Sequence, residues 1–206
     1  MSTGRLESFS DGVMAVAITL LVLGIVVPEP AAHPDLGHAL GSQWPAYAAY
    51  VTSFLTIGIV WINHHAGISR LARADHSILI LNLILLMTIA VIPFGTSLLA
   101  TYLKEGQGQH LAAAVYGGIL LAMALTFTAL NRQILLRRPE LLKVPLSHDE
   151  RRAIFRRNAT GVPPYAAAAA LAVVSPYITL GITAALAGFY ALPLANLNPP
   201  TESTAD

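Results

Sequence analysis

Any chemistry this chain performs must come from a short list of polar side chains set in apolar surroundings. Asp11 stands at the head of one long apolar run, His64 and His65 sit side by side near the end of another, and Asp75, His76 and Asn82 open a third. Such residues can bind a metal, act as acid and base, or hold helices together. A metal well at His64-His65 is badly served: adjacent residues on a helix point about 100° apart, and zinc needs further ligands that the spacing does not offer. The chain has no G-x-x-x-x-G-K-[ST], no H-E-x-x-H and no G-x-S-x-G, so phosphate-loop, zincin and serine-hydrolase chemistry lack their frames. It has no cysteine, which removes disulfides, thiolate metal sites and cysteine nucleophiles. We read no catalytic residue, no metal site and no cofactor.

The elements that position these residues are apolar helices. Hydrophobic residues make up 55% of the 206 and charged residues 11%, against roughly 25% charged in a soluble domain. A spanning helix needs about 20 apolar residues. The chain predicts an all-α membrane protein with six transmembrane helices: Phe9 to Val27, Pro45 to His65, His76 to Leu99, His110 to Asn131, Asn158 to Val174 and Tyr177 to Leu194. Five spans with one re-entrant segment near Pro163 is the alternative count. The first run is too long for a signal peptide and has no A-x-A-like site after it, so it reads as a helix that stays. We expect residues 1–197 to form one six-helix transmembrane domain and residues 198–206 a disordered polar tail.

Charge placement orients the bundle. With six spans, Arg5, Arg70, Arg73, Arg132, Arg137, Arg138, Lys143, Arg151, Arg152, Arg156 and Arg157 share one side, and of the 12 Lys and Arg residues only Lys104 lies on the other. This positive-inside bias predicts cytoplasmic termini in a cell (plasma) membrane. It also puts the Asn158-Ala159-Thr160 sequon on the side where glycosylation does not occur. A net charge of +1 leaves no global basic field for nucleic acid. The loop Arg132–Arg157 is basic and partly amphipathic, and Ser147 and Glu150 have capping-box spacing for a short helix. We expect it to face anionic lipid headgroups, with a regulatory lipid site as the functional alternative. Pro28 to Trp44, with Glu29, His33, Asp35 and His38, reads as an outer loop.

In the first helix, 100° per residue places Val16, Leu20, Leu23 and Val27 on one face, with Thr19 at its edge and Ser10 and Asp11 turned away. An acid at that depth is costly unless paired. The same depth holds Arg5, the end of the second helix (Trp61, Asn63, His64, His65) and the start of the third (Asp75, His76, Asn82). These predict a buried polar network of Arg5, Ser10, Asp11, His64 and Asn82. Its simplest role is helix packing; a direct gating role is the alternative.

Arg5-x-x-x-Phe9-Ser10-Asp11, continuing Gly12-Val13-Met14-Ala15-Val16-Ala17-Ile18-Thr19-Leu20-Leu21-Val22-Leu23, resembles the first-helix signature of the endosomal and lysosomal potassium channels of the transmembrane protein 175 type. Trp61-Ile62-Asn63-His64-His65, Asn82 and Ile92-Pro93-Phe94 resemble its second and third helices. The likeness covers roughly the first half of the chain, and the single six-helix unit resembles the bacterial branch. The resemblance implies a homotetramer with the first helix of each subunit lining a central pore, potassium as the permeant ion, and no T-V-G-Y-G filter. It places the pore constriction at Val16, Leu20 and Leu23, a hydroxyl layer at Thr19, and the polar cluster at Arg5, Phe9, Ser10 and Asp11, backed by Trp61, His64 and Asn82.

The sequence departs from that pattern in two places. Val16 replaces a common isoleucine, and Gly24 stands where relatives often carry an acid, which weakens cation attraction at the mouth. Modest potassium-over-sodium selectivity follows. The mechanism expected is dewetting at an apolar ring, with the polar network steadying the helix. Two other classes compete. A secondary transporter would show internal repeats and broken helices with midplane polar sites, which the first four helices lack. A membrane enzyme would need acid, base or metal groups clustered at the membrane edge, for which Asp11, His64, His65, Asp75 and His76 are the available set.

Overall fold

The computed structural model describes residues 3–29 and 35–195, with side chains to residue 191. His33 and the 198–206 tail, both subjects of sequence expectations, lie outside the described residues. Among the described residues, eight α-helices follow one another: α1 (Thr3–Leu20), α2 (Leu36–Ser42), α3 (Trp44–Ile68), α4 (His76–Tyr102), α5 (Gln109–Arg132), α6 (His148–Ala159), α7 (Val162–Leu171) and α8 (Pro176–Ala195). Among the described residues, four stretches are long and apolar enough to cross a membrane: Thr3–Gly24, Trp44–Ile68, His76–Tyr102 and Gln109–Arg137. The protein is therefore a multi-pass, all-α membrane protein. α4 runs through the middle and packs against α1, α3 and α5, with Ile78, Leu85, Ile89, Ile92 and Leu99 fully buried.

Helix boundaries follow local chemistry. α1 begins at Thr3 rather than Phe9: its first turns are too polar for a hydropathy window, yet they stay helical with Leu6 and Ser10 buried on the inner side. It tightens into a 3-10 turn over Leu21–Gly24 and ends there, not at Val27, since Ile25 is already extended (φ −96°, ψ 107°). Three β-branched residues before Pro28 favour that extended exit. Asp75 caps α4, its carboxylate accepting from the Ile78 amide at 2.9 Å. Ser147 and Glu150 form the expected capping box at the head of α6.

The expected fifth helix, Asn158 to Val174, is divided. Asn158 and Ala159 end α6, Thr160 and Gly161 turn, and α7 starts fresh with Pro163 and Pro164 in its first turn. Proline lacks the N–H that a helix interior needs, so it suits a start better than a middle. Ten residues of α7 span about 15 Å, short of a hydrocarbon core of about 30 Å, and the described apolar part of α8 is Pro176–Ala191. Even so, the segment travels the length of α5. Asn158 donates to Asn131 at 2.8 Å at one end, and His110 Nδ1 donates to the Ala172 carbonyl at 2.8 Å at the other. α5 and α7 meet backbone to backbone: a Cβ on Gly117 would stand 2.9 Å from Ala169 Cα.

The two ends differ. At one, Trp44 stacks on Tyr177 with ring centres 6.3 Å apart, and Lys104 lies over the Trp44 ring while donating to the Ser42 carbonyl at 2.9 Å. At the basic end, a one-pair antiparallel bridge joins Leu71 to Leu142. Its bonds run from Ala72 N to Leu141 O and from Lys143 N to Arg70 O, both 2.8 Å. Beside it the Arg138 guanidinium pairs with Asp75 at 3.0 Å, tying the chain after α5 to the start of α4.

Candidate functional site: the first helix and its polar anchor

α1 has two unlike sides. Leu6, Ser10, Met14, Ala17 and Leu21 recur at helical spacing and are buried against α3 and α4. Its other side is open: Val16 is 57% exposed, Leu20 43% and Leu23 73%. Thr19 lies on this open side and its hydroxyl donates to the Val16 carbonyl at 2.8 Å. A groove of about 500 Å³ follows the same side, lined by Ser8, Phe9, Gly12, Val13, Val16, Ala17 and Leu20 with Ala90 of α4.

The 3-10 turn changes the register of the apolar rings. In an α-helix, residues three apart are offset by about 60°, whereas in a 3-10 helix they eclipse. Leu23 therefore stands over Leu20 and is lifted about 6 Å along the axis instead of about 4.5 Å. The helical arithmetic that groups Val16, Leu20, Leu23 and Val27 holds as far as Leu20. Val27 belongs to the extended exit and leaves the face.

At the basic end α1 is held by three contacts. The first is a buried chain. His64 Nε2 donates to Asn82 Oδ1 at 2.6 Å, Asn82 Nδ2 donates to Ser10 Oγ at 3.0 Å, and Ser10 donates to the Leu6 carbonyl at 2.8 Å. Each group donates to the next, which fixes His64 as the Nε2–H tautomer and leaves Nδ1 as a buried lone pair without a partner among the described residues. Second, Trp61 Nε1 donates to Asp11 Oδ1 at 2.9 Å. Third, His65 Nδ1 lies 2.8 Å from Glu7 Oε1. α3 and α4 thus grip α1 over its first two to three turns and leave its later turns to apolar packing.

Two residues expected in the network lie outside it. Arg5 is exposed and makes no ion pair or side-chain hydrogen bond among the described residues; it sits about 140° around the helix from Ser10, where a long cation stays in water. Phe9 is 54% exposed and lines the groove instead. Sequence reasoning also missed Glu7 as the partner of His65. It missed a buried hydroxyl cluster higher in the bundle, where Ser53 bonds Thr96 at 2.8 Å and Tyr116 at 3.0 Å, joining α3, α4 and α5. The signal was present as Thr52, Ser53 and Thr56 within one apolar run, since hydroxyls there look for partners across helices.

The fold is thus a helical membrane bundle that clamps one end of its first helix and leaves that helix's apolar side open. The chain belongs to the endosomal/lysosomal potassium channel TMEM175 family, whose model matches residues 5–93. A potassium channel of Streptomyces collinus is 47% identical over 188 residues, covering 91% of each chain. A potassium channel of Chamaesiphon minutus is 42% identical over 192 residues, covering 92% of this chain and 94% of that one. The crystal structure of a lysosomal potassium-selective channel TMEM175 homolog from the latter organism superposes with a TM-score of 0.82 at 40% identity, covering 93% of this chain and 97% of that chain. The family is one of ion channels, not of enzymes.

Proposed function

We propose that this chain is a potassium-permeable cation channel that works as a homotetramer, with four copies of α1 around a central pore. The open apolar side of α1 carries this reading: Val16, Leu20 and Leu23 are exposed on a helix whose opposite side is nearly fully buried. Four such sides facing one axis would make stacked apolar rings at Leu20 and Leu23, a wider ring at Val16, and a hydroxyl layer at Thr19 between them. Narrow apolar rings expel water and leave an ion with a large dehydration cost. Potassium sheds water more readily than sodium, so selectivity is modest and needs no carbonyl filter.

The Ser10, Asp11, Trp61, His64 and Asn82 contacts would then fix the base of the pore helix while its upper turns adjust. The segment from Thr160 to Val174 and α8 supply the fifth and sixth crossings, and the basic end, with both termini, lies at the cytoplasmic headgroup layer of the plasma membrane. Potassium and sodium efflux from liposomes containing the purified protein tests the function. Potassium flux exceeding sodium flux, uncoupled to a second ion, is the expected result. Saturable flux that requires a counter-ion gradient would replace the channel with a transporter.

A further inference from the structure

Two arginines of the basic end are committed to the fold, while others stand exposed. Arg138 is committed to the fold through Asp75 and Glu140, and Arg151 through the Leu135 carbonyl. Arg132, Arg152, Arg156 and Arg157 are exposed and form no ion pair among the described residues. Three of these lie on α6, whose inner side packs Ile154 and Phe155 onto the bundle core. At 100° per residue, Arg152 and Arg156 are neighbours on the outer side and Arg157 is at its margin. The helix acids, Asp149 and Glu150, are confined to the first turn.

The bond between Asn158 and Asn131 at 2.8 Å sets the cationic end of α6 against the end of α5. Arg157 and Arg132 are the chain neighbours of the two bonded residues, so their backbones meet there. α6 is therefore a capped, docked helix presenting unpaired guanidinium groups beside the end of a membrane-crossing helix.

We propose that Arg132, Arg152, Arg156 and Arg157 form a binding surface for the headgroups of anionic phospholipids, which stabilises the folded protein. This rests on the reading that the basic end lies at the headgroup layer. Guanidinium groups take phosphate oxygens in paired hydrogen bonds, and juxtamembrane clusters of this size attract anionic leaflets. The site also has a mechanical route to α1: the segment linking α5 to α6 is tied by Arg138 to Asp75, the cap of α4, and α4 carries Asn82, which holds Ser10.

The test is thermal unfolding of the full-length protein in neutral detergent with added short-chain phosphatidylglycerol, phosphatidylcholine or inorganic phosphate. Phosphatidylglycerol should raise the melting temperature, and phosphatidylcholine and phosphate should not. Arg152→Gln/Arg156→Gln/Arg157→Gln should remove most of that rise, and raising salt to about 1 M should remove it in the unmodified protein by screening. An equal rise with phosphatidylcholine or with phosphate, or a rise indifferent to salt, overturns the proposal. So does a folded triple variant with an undiminished rise. If the triple variant does not fold, the salt and lipid comparisons on the unmodified protein decide. The readout is independent of conduction, so its failure is distinct from failure of the channel reading.

Discussion

Asn82 of α4 and Ser10 of α1 are 72 positions apart in the chain and joined by a 3.0 Å hydrogen bond that neither can replace with water. Asn82 is the hub, since it also accepts from His64 at 2.6 Å. Ser10→Ala should leave the Asn82 amide N–H unpaired, whereas Asn82→Leu should remove two bonds at once and orphan His64 Nε2, with Ser10 keeping its own bond to the Leu6 carbonyl. Bonds of this kind in membranes average about 0.6 kcal/mol, while a stranded buried polar group costs about 1–3 kcal/mol. Asn82→Leu should therefore destabilise more than Ser10→Ala, by about 0.6 kcal/mol for the second bond lost. Unfolding in mixed micelles with increasing denaturant would check the order; equal losses would show that the hub carries no special weight.

Trp61 and Asp11 meet at 2.9 Å near solvent. Because the indole N–H needs only an acceptor, Asp11→Asn should behave much like the unmodified protein. Asp11→Leu and Trp61→Phe should loosen the base of α1 with under about 1 kcal/mol of lost stability, as expected for a partly exposed bond. The informative readout is ion flux in liposomes, where both loosening variants should differ from the unmodified protein in the same direction.

Leu20→Ser and Leu23→Ser should each raise potassium flux several-fold and narrow its margin over sodium, because a polar ring stays wet. Leu111→Ser, on an exposed position of α5, is the matched control and should leave flux unchanged. Single-variant flux assays in both cations would settle which ring is the tighter.

Gly117 and Gly118 are adjacent but face different surroundings. A Cβ on Gly117 meets the backbone of Ala169 at 2.9 Å, and one on Gly118 meets nothing within 4 Å. Gly117→Ala should push α5 from α7 and cost about 1–3 kcal/mol. Gly118→Ala should be neutral or stabilising by up to about 1 kcal/mol from helix propensity. Comparing the two melting temperatures is sufficient.

Glu150 carries a pH dependence. The Ser147 hydroxyl, and then the Ser147 backbone N–H, stabilise its carboxylate and hold it below the ordinary glutamate range. A carboxylate depressed on folding contributes stability above its unfolded value, and that contribution is lost as pH falls through the folded value. Acidification below the ordinary glutamate range should thus fray the head of α6, seen as faster amide exchange at His148–Arg151. Ser147→Ala should already be frayed at neutral pH and show little further change.

Much of this was legible in the residues themselves. The four long crossings, the open side of α1 as far as Leu20, the capping box at Ser147 and the Ser10–Asn82–His64 grouping follow from hydropathy, helical period and depth. What escaped had a physical reason in each case. Arg5 shares its depth with the network but not its side of the helix, and depth alone cannot tell the two apart. Glu7 escaped because a hydropathy window begins α1 at Phe9, nearly two turns after Thr3. The break at Thr160-Gly161 was hidden because proline is tolerated within membrane helices, so Pro163-Pro164 did not by itself mark a start. The Ser53–Thr96–Tyr116 cluster depends on three helices meeting at one level, which no single periodicity reports.

The four residues Leu21–Gly24 form a 3-10 turn at the top of α1, wound more tightly than the helix beneath it. Rewinding them from 3-10 to α geometry would turn Leu23 by about 60° relative to Leu20 and draw it down by about 1.5 Å. Neither the clamped base of the helix nor Leu20 itself would need to move. Ser97 sits against this turn, with its Oγ 2.7 Å from where a Cβ on Gly24 would stand, so a side chain at position 24 would first have to displace the Ser97 hydroxyl. The glycine thus lets Ser97 of α4 lie directly against the turn that sets the height of Leu23 above Leu20.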